Sequence, residues 1–503
     1  MSNQNRAVHF LFSAIPAWGK SLLLSHVRPF SVLAARLVKE NKNAMVTFIT
    51  GPKVLERTEL EISAEFGILG VSELEARRRL RVLSTFQSES DNLVELMGTL
   101  AETYRTAYEC LVHEKPITCA VTGKVFGPVP VPAVAILDFL AYPLLQATRE
   151  VSGRSIPIAA LISGHASSII RIFGPEHFGG LGDFGAKIDA EAARLGVAPE
   201  EIGDKACRIL GAVVKIAGLP AMYDYEFFPQ KNCDEVLVAT PEVFEPESVA
   251  AMRSWFSEWE KGTYIIGPLL PISFGTGAQS ARGSGETASF LDRILSSHGQ
   301  KSLLYISFGT LFWPAIPEYM DELIDALIEK NVPFIVSVAS PLAQISEESR
   351  RKTEASGIGI FGKWTPQQFI LSHPATGWFL SHCGHNSVME SLACGIPLIA
   401  WPIETDQPGA AAHLTENLDV AFELIEVRSG QHGLKPMLRS GRVAKGTREA
   451  VAAELREVLD ACRGARGAEL RRNAEAMKGK FTAAWQDNGD SRKEWHKFQS
   501  KYL

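Results

Sequence analysis

The densest chemistry in this sequence lies between Trp364 and Gln407, which read WTPQQFILSHPATGWFLSHCGHNSVMESLACGIPLIAWPIETDQ. The apolar stretch GWFLSH (377–382) predicts a strand running into the tight turn CGHNS, then a helix over Ser387–Ala393, then Gly395 and a second strand, PLIAW. A strand, a glycine turn and a helix N-terminus present backbone N–H groups at the positive end of the helix dipole, which suits an anion. His382, Asn386 and Ser387 would add side-chain donors at that spot, a set that fits a diphosphate. Each residue also has a plain structural use. Asn386 or Ser387 would cap the helix, and Ser387 with Glu390 has the spacing of a capping box. Trp364 would serve as a packed aromatic, and Asp406 and Gln407 as polar loop residues.

The elements that must position these residues alternate in both halves of the chain. Val8–Ala14, Met45–Thr50, Ala133–Leu137 and Ile156–Ile162 read as strands, and Pro29–Lys39 has apolar residues at helical spacing. Ile265–Pro271 then leads into FGTGAQSARGSGET (274–287), whose Gly, Ser and Thr content is that of a flexible linker. Alternation restarts with strand Ser302–Ser307, helix Pro317–Glu329 and strand Pro333–Val338, and Thr447–Arg463 reads as an amphipathic helix. The pattern predicts two α/β domains with parallel sheets: residues 1–270, a linker over 271–290, residues 291–480 and a helical tail over 481–503. Ligands of such folds sit at the carboxyl ends of the strands, and a cleft between two such domains suits a two-substrate reaction.

Composition narrows the classes. With 503 residues, 46% hydrophobic and 21% charged, the chain is an ordinary globular mixture, and its net charge of -6 gives no footprint for nucleic acid. Seven scattered cysteines without CxxC spacing indicate neither a disulfide framework nor zinc, so a reduced, cytoplasmic location is expected. Val125–Thr148 is apolar enough to suggest a membrane span, but Asp138 interrupts it and Pro128, Pro130 and Pro132 open it. A loop, a buried strand and a helix are expected there instead. No Asp-x-Asp pair suited to a divalent cation occurs, so no metal site is expected.

A base is harder to choose, because 12 histidines are present and a lone histidine is usually structural. Asp138, closing the run AVAIL, would orient such a base or cap the following helix. Ala14–Ser21 follows a strand and nearly spells a P-loop, with Asp138 as a possible Mg²⁺ ligand. The first glycine is missing, however, Pro16 lacks an N–H and Trp18 crowds a loop that must wrap phosphates.

Taken whole, Trp364–Gln407 resembles the donor-binding signature of the UDP-glycosyltransferase superfamily, best known from plant secondary-product enzymes. Its Trp-x-Pro-Gln opening, His-Cys-Gly-x-Asn-Ser-x-x-Glu core, Gly-x-Pro, Trp-Pro and closing Asp-Gln all occur in order. The resemblance implies a GT-B fold, two Rossmann-like doubly wound domains facing each other across a cleft, with the C-terminal tail crossing back to the first. It implies an inverting, metal-independent hexosyltransferase with a UDP-sugar as co-substrate and no cofactor. Trp364 would stack on uracil, Gln367 would lie toward the ribose and Glu390 would accept from the ribose hydroxyls. His382, Asn386 and Ser387 would hold the phosphates. Asp406 and Gln407 would hold the sugar hydroxyls, with Gln407 favouring glucose. YISFGT (305–310) looks like the family's strand-turn entering the second domain, which brings Ser307 and Thr310 to the diphosphate. His385 stands where plant members usually have Trp, close to the donor sugar.

In the first domain, the family follows its first strand with His-x-x-Pro and then Leu-Ala-x-x-Leu. Here His26-Val-Arg-Pro29 and Leu33-Ala-Ala-Arg-Leu37 match, which makes His26 the candidate base and Asp138 its partner. Six residues, Lys20–Ser25, separate His26 from the Gly19 it usually follows. The acceptor would be a small apolar hydroxylated molecule (a phenol, terpenoid or hydroxylated lipid), bound by the aromatic segments 171–185 and 221–230 of a monomer. The rival readings are a UDP-sugar-binding protein without turnover and, more remotely, a P-loop NTPase.

Overall fold

The computed structural model describes residues 7–15, 24–66, 71–90, 93–180, 182, 192–197, 213–214, 222–223, 233–271, 274, 285–404 and 406–503. The chain divides into two compact units, Met1–Ile272 with Ala484–Leu503, and Ser273–Ala483.

The first unit is built on seven strands: β1 (Val8–Ser13), β2 (Ala44–Ile49), β3 (Leu80–Leu83), β4 (Pro132–Asp138), β5 (Ile158–Ile162), β6 (Glu235–Val238) and β7 (Gly262–Ile265). They form one sheet in the order β7-β6-β5-β4-β1-β2-β3, and every neighbouring pair is parallel. Continuous apolar runs make this possible, because helices cover both faces of a parallel sheet. Phe10, Phe12, Ile136, Leu137 and Leu161 are accordingly all buried. The apolar stretch Val125–Thr148 holds β4 and a separate helix, Tyr142–Ser152. Among the described residues no helix is long and apolar enough to cross a membrane.

Helix α1 (Leu24–Glu40) starts five residues before the boundary expected at Pro29. A proline favours the first turn of a helix, which is why Pro29 reads as a start. Here burial of Val27, Phe30 and Leu33 against the sheet sustains an extra turn in spite of the N–H that Pro29 lacks. That extra turn carries His26.

The second unit repeats the plan with β8 (Leu303–Ser307), β9 (Phe334–Ser337), β10 (Gly359–Gly362), β11 (Thr376–Ser381), β12 (Leu398–Ala400) and β13 (Ala421–Glu423), ordered β10-β9-β8-β11-β12-β13 and again all parallel. Both sheets thus follow the doubly wound order 3-2-1-4-5-6, with one further strand in the first. The stretch expected as linker is helical at its end: Gly285–His298 is a helix whose Phe290, Leu291 and Ile294 are buried. Residues 272–273 and 275–284 lie outside the described residues.

Three more helices matter below: α2 (His385–Cys394), α3 (Arg448–Arg463) and α4 (Ala465–Ala484). A last helix, α5 (Asp490–Gln499), belongs to the first unit. Trp495 is fully buried there and donates from Nε1 to Glu40 Oε2 at 3.0 Å, while the Arg36 guanidinium lies 4.0 Å above the Trp485 ring. The tail therefore clamps the C-terminal end of α1.

Candidate functional site

In a doubly wound sheet the crevice opens where strand order reverses, beyond the carboxyl ends of the first and fourth strands. In the second unit those are β8 and β11. Ser307 ends β8 and is followed by Phe308-Gly309-Thr310; Ser381 ends β11 and is followed by His382, Cys383 and α2. Ser307, Thr310, His382, His385, Asn386 and Ser387 therefore all belong to one switch point.

The N-cap of α2 is Gly384, with φ -63° and ψ 146°, and the first intrahelical bond runs from Val388 N to Gly384 O at 3.1 Å. This corrects the capping reading. The helix starts at His385, so Asn386 and Ser387 lie within its first turn, and neither caps it. Glu390 does not close a capping box either. It is 1% exposed and accepts from Gln367 Nε2 at 2.7 Å and Gln368 Nε2 at 3.0 Å. Tyr305 joins this cluster from β8, its hydroxyl 2.8 Å from Thr365 Oγ1 and 3.3 Å from Gln367 Oε1. The packed-aromatic reading of Trp364 also fails: the indole is 47% exposed.

His382 is buried, and its Nδ1 has no hydrogen-bond partner among the described residues. Burial pushes its pKa down to about 4 against the opposing pull of Asp406 and a hydrogen bond to the Ser307 backbone, so at neutral pH it is an uncharged imidazole. Two glycines make room for the ring. A Cβ on Gly309, which sits at φ +73°, would lie 2.8 Å from His382 Nε2, and one on Gly384 would lie 2.5 Å from it. A glycine-lined turn and a helix tip fit a diphosphate. Gly384→Ala should push the imidazole out of that turn and weaken UDP binding about tenfold with little change in melting temperature. Titration calorimetry beside a thermal melt reads both.

Gln407 is 1% exposed, and its Oε1 accepts from Ile403 N at 2.9 Å and Glu404 N at 3.2 Å. The amide oxygen thus ties down the loop after β12, and the group left to offer a sugar hydroxyl is the amide nitrogen. Asp406, beside it, is half-buried.

The first unit has its own switch point, between β1 and β4. Asp138 ends β4, is 1% exposed, and its Oδ2 accepts from His26 Nδ1 at 2.8 Å. Ile15 N donates to Oδ2 at 3.4 Å and Leu140 N to Oδ1 at 3.0 Å, which fixes the carboxylate. The following helix has Ala141 at its N-cap, so Asp138 does not cap it. The carboxylate that a P-loop reading would assign to Mg²⁺ is bonded to His26. Pro16–Leu23, with most of the P-loop-like segment and of the six extra residues, lie outside the described residues.

Ser163, the first residue after β5, brings its Oγ within 3.1 Å of His26 Nδ1. Sequence reasoning missed it, as it missed Tyr305 and Gln368; only the doubled glutamine of WTPQQ could have pointed to the last. His9 shows the ordinary fate of a histidine. It is buried between Pro130 O and Thr47 Oγ1, both at 2.8 Å, and burial, aided by Arg81, pushes its pKa down to about 3. Of the aromatic segments expected to line an acceptor pocket, Phe173 packs into the core 5.2 Å from Phe139, and residues 183–185 and 224–230 lie outside the described residues. Among the described residues no group of three or more His, Cys, Asp or Glu could hold a metal ion.

Comparison with known proteins agrees with this geometry. The family model described as UDP-glucoronosyl and UDP-glucosyl transferase matches residues 225–431. The UDP-glycosyltransferase eriJ of Hericium erinaceus is 28% identical over 530 residues, with 98% of each chain covered. An Arabidopsis thaliana UDP-glycosyltransferase is 31% identical over 281 residues, covering 53% of this chain and 56% of its own. A Medicago truncatula structure solved with UDP-glucose superposes with a TM-score of 0.68 at 17% identity over 100% of both chains. The architecture is the GT-B fold of nucleotide-sugar-dependent transferases. Within that class the chain belongs to the UDP-glycosyltransferase superfamily, and it is a glycosyltransferase.

Proposed function

We propose that this enzyme transfers glucose from UDP-glucose to a hydroxyl of a small apolar acceptor, with inversion at the anomeric carbon and without a metal ion. The observation that carries the reading is the 2.8 Å bond from His26 Nδ1 to the buried Asp138 carboxylate. With the proton of the neutral ring held on Nδ1, the lone pair lies on Nε2, ready to take a proton from the acceptor. The carboxylate then stabilises the imidazolium that forms. The acceptor oxygen attacks the anomeric carbon as the bond to UDP breaks on the opposite face, so a single displacement inverts the centre.

The donor roles follow the same logic. The tip of α2, with His382, Asn386 and Ser387, and with Ser307 and Thr310 from the β8 turn, receives the charge that develops on UDP. Trp364 offers uracil a half-exposed ring, and Glu390, held by Gln367 and Gln368, accepts from the ribose hydroxyls. Asp406 and Gln407 engage the sugar beside His385. Glucose is supported by Gln407 and by the UDP-glucose bound in the Medicago structure.

The test is a panel of phenols, terpenoids and hydroxylated lipids incubated with UDP-glucose in the presence of EDTA. At least one β-glucoside should form at an undiminished rate. If calorimetry finds UDP-glucose binding but no acceptor yields product, the transfer reading fails. Activity that EDTA abolishes would remove the metal-free mechanism.

A further inference from the structure

The second unit also holds a cavity of about 530 Å³ at the opposite end of its sheet from the donor crevice. It lies between the amino ends of β8, β9 and β11 and the junction of α3 with α4, and the volume is within the usual range for a small-molecule site. Leu304, Ile399, Leu459 and the Trp378 ring give it apolar walls. Its charged lining is all basic: Lys301, Arg463 and Arg471, with His298 beside them and no Asp or Glu.

The two arginines differ from their neighbours. On the same two helices Arg448 pairs with Glu322, Arg456 with Glu329 and Arg466 with Glu469. Arg463 instead donates to Asn331 O at 3.0 Å and Arg471 to Gly377 O at 2.9 Å, and neither forms an ion pair with a carboxylate among the described residues. Lys301 is already neutralised by Glu475 at 2.6 Å. The Arg471 guanidinium lies 5.4 Å above the Trp378 ring, and its pKa is lowered chiefly by burial. Arg463 is exposed and Arg471 half-buried with Glu475 nearby; a guanidinium that donates to a carbonyl and forms no ion pair keeps its charge and donor capacity for an anion.

We propose that this cavity binds an aromatic carboxylate, its acid group held by Arg463 and Arg471 and its ring laid against the apolar wall of Leu304, Ile399 and Leu459. The proposal is independent of the transfer reaction. The probe is 2-naphthoate, titrated into the full-length protein by calorimetry. One saturable site is expected that UDP does not displace, and 2-naphthamide, which lacks the charge, should bind at least tenfold more weakly. Replacing Arg463 and Arg471 together by Met should also weaken 2-naphthoate at least tenfold, with UDP affinity unchanged as the control for folding. If that double variant loses UDP binding too, Ala468→Trp decides, because it fills the cavity without removing a charge and should abolish 2-naphthoate binding. No binding by the wild type, displacement by UDP, equal affinity for the amide, or full affinity in Ala468→Trp would each overturn the proposal.

Discussion

Replacing His26 with alanine should lower turnover by roughly 10²–10⁴-fold, the contribution of a positioned general base, and leave UDP affinity unchanged. The separation follows from the geometry. His26 lies in the first turn of α1 beside the carboxyl end of β4, in the unit that carries no residue of the donor cluster. Asp138→Asn is the more discriminating variant. An amide keeps the size of the carboxylate, but it loses the charge that stabilises the imidazolium and lets the ring take the wrong tautomer. A fall in kcat of the same order is expected, with KM for UDP-glucose little changed. Loss of the melting transition would instead signal a structural role, because the carboxylate also receives backbone N–H groups from Ile15 and Leu140. Full activity in His26→Ala would remove His26 from the mechanism.

The sequence exposes these two sites unequally, and the reason is locality. The donor segment is a strand, a turn and a helix within 44 consecutive residues, so hydrophobic period and glycine placement reveal its geometry before any fold is known. What misleads there is the preference of helix N-caps for Ser and Asn. Gly384 takes the position, and polar residues that read as caps become first-turn residues at the crevice end of the sheet. The proposed catalytic pair is the opposite case. His26 and Asp138 stand 112 residues apart and meet only because β1 and β4 are neighbours, which no periodicity encodes. Resemblance to a family linked them; physical reading of the chain alone left 12 histidines and an ambiguous aspartate. Ser163 and the basic cavity were invisible for the same reason, since strand ends remote in sequence converge on each.

Glu390 brings the second large effect, and the structure raises its stakes. Glu390→Ala should weaken UDP binding by about 1–3 kcal/mol, the range for losing a charged hydrogen-bond partner. A capping role would have predicted something else: a lower melting temperature with normal donor affinity. With Gly384 at the N-cap that alternative has no basis, and the carboxylate instead gathers the amides of Gln367 and Gln368 in a nearly sealed site. Removing it takes a charged acceptor from both amides and lets Gln367, which also contacts Tyr305, turn away from the site. Glu390→Gln separates charge from shape. Its amide keeps one oxygen to accept but sets an NH₂ against a neighbouring glutamine NH₂, so UDP affinity should fall between that of the wild type and that of Glu390→Ala. Calorimetric titration with UDP, run beside thermal melts of the same variants, distinguishes the outcomes. If affinity stays at the wild-type value while stability drops, the glutamine-bound carboxylate is scaffolding, and the ribose must find its acceptor elsewhere.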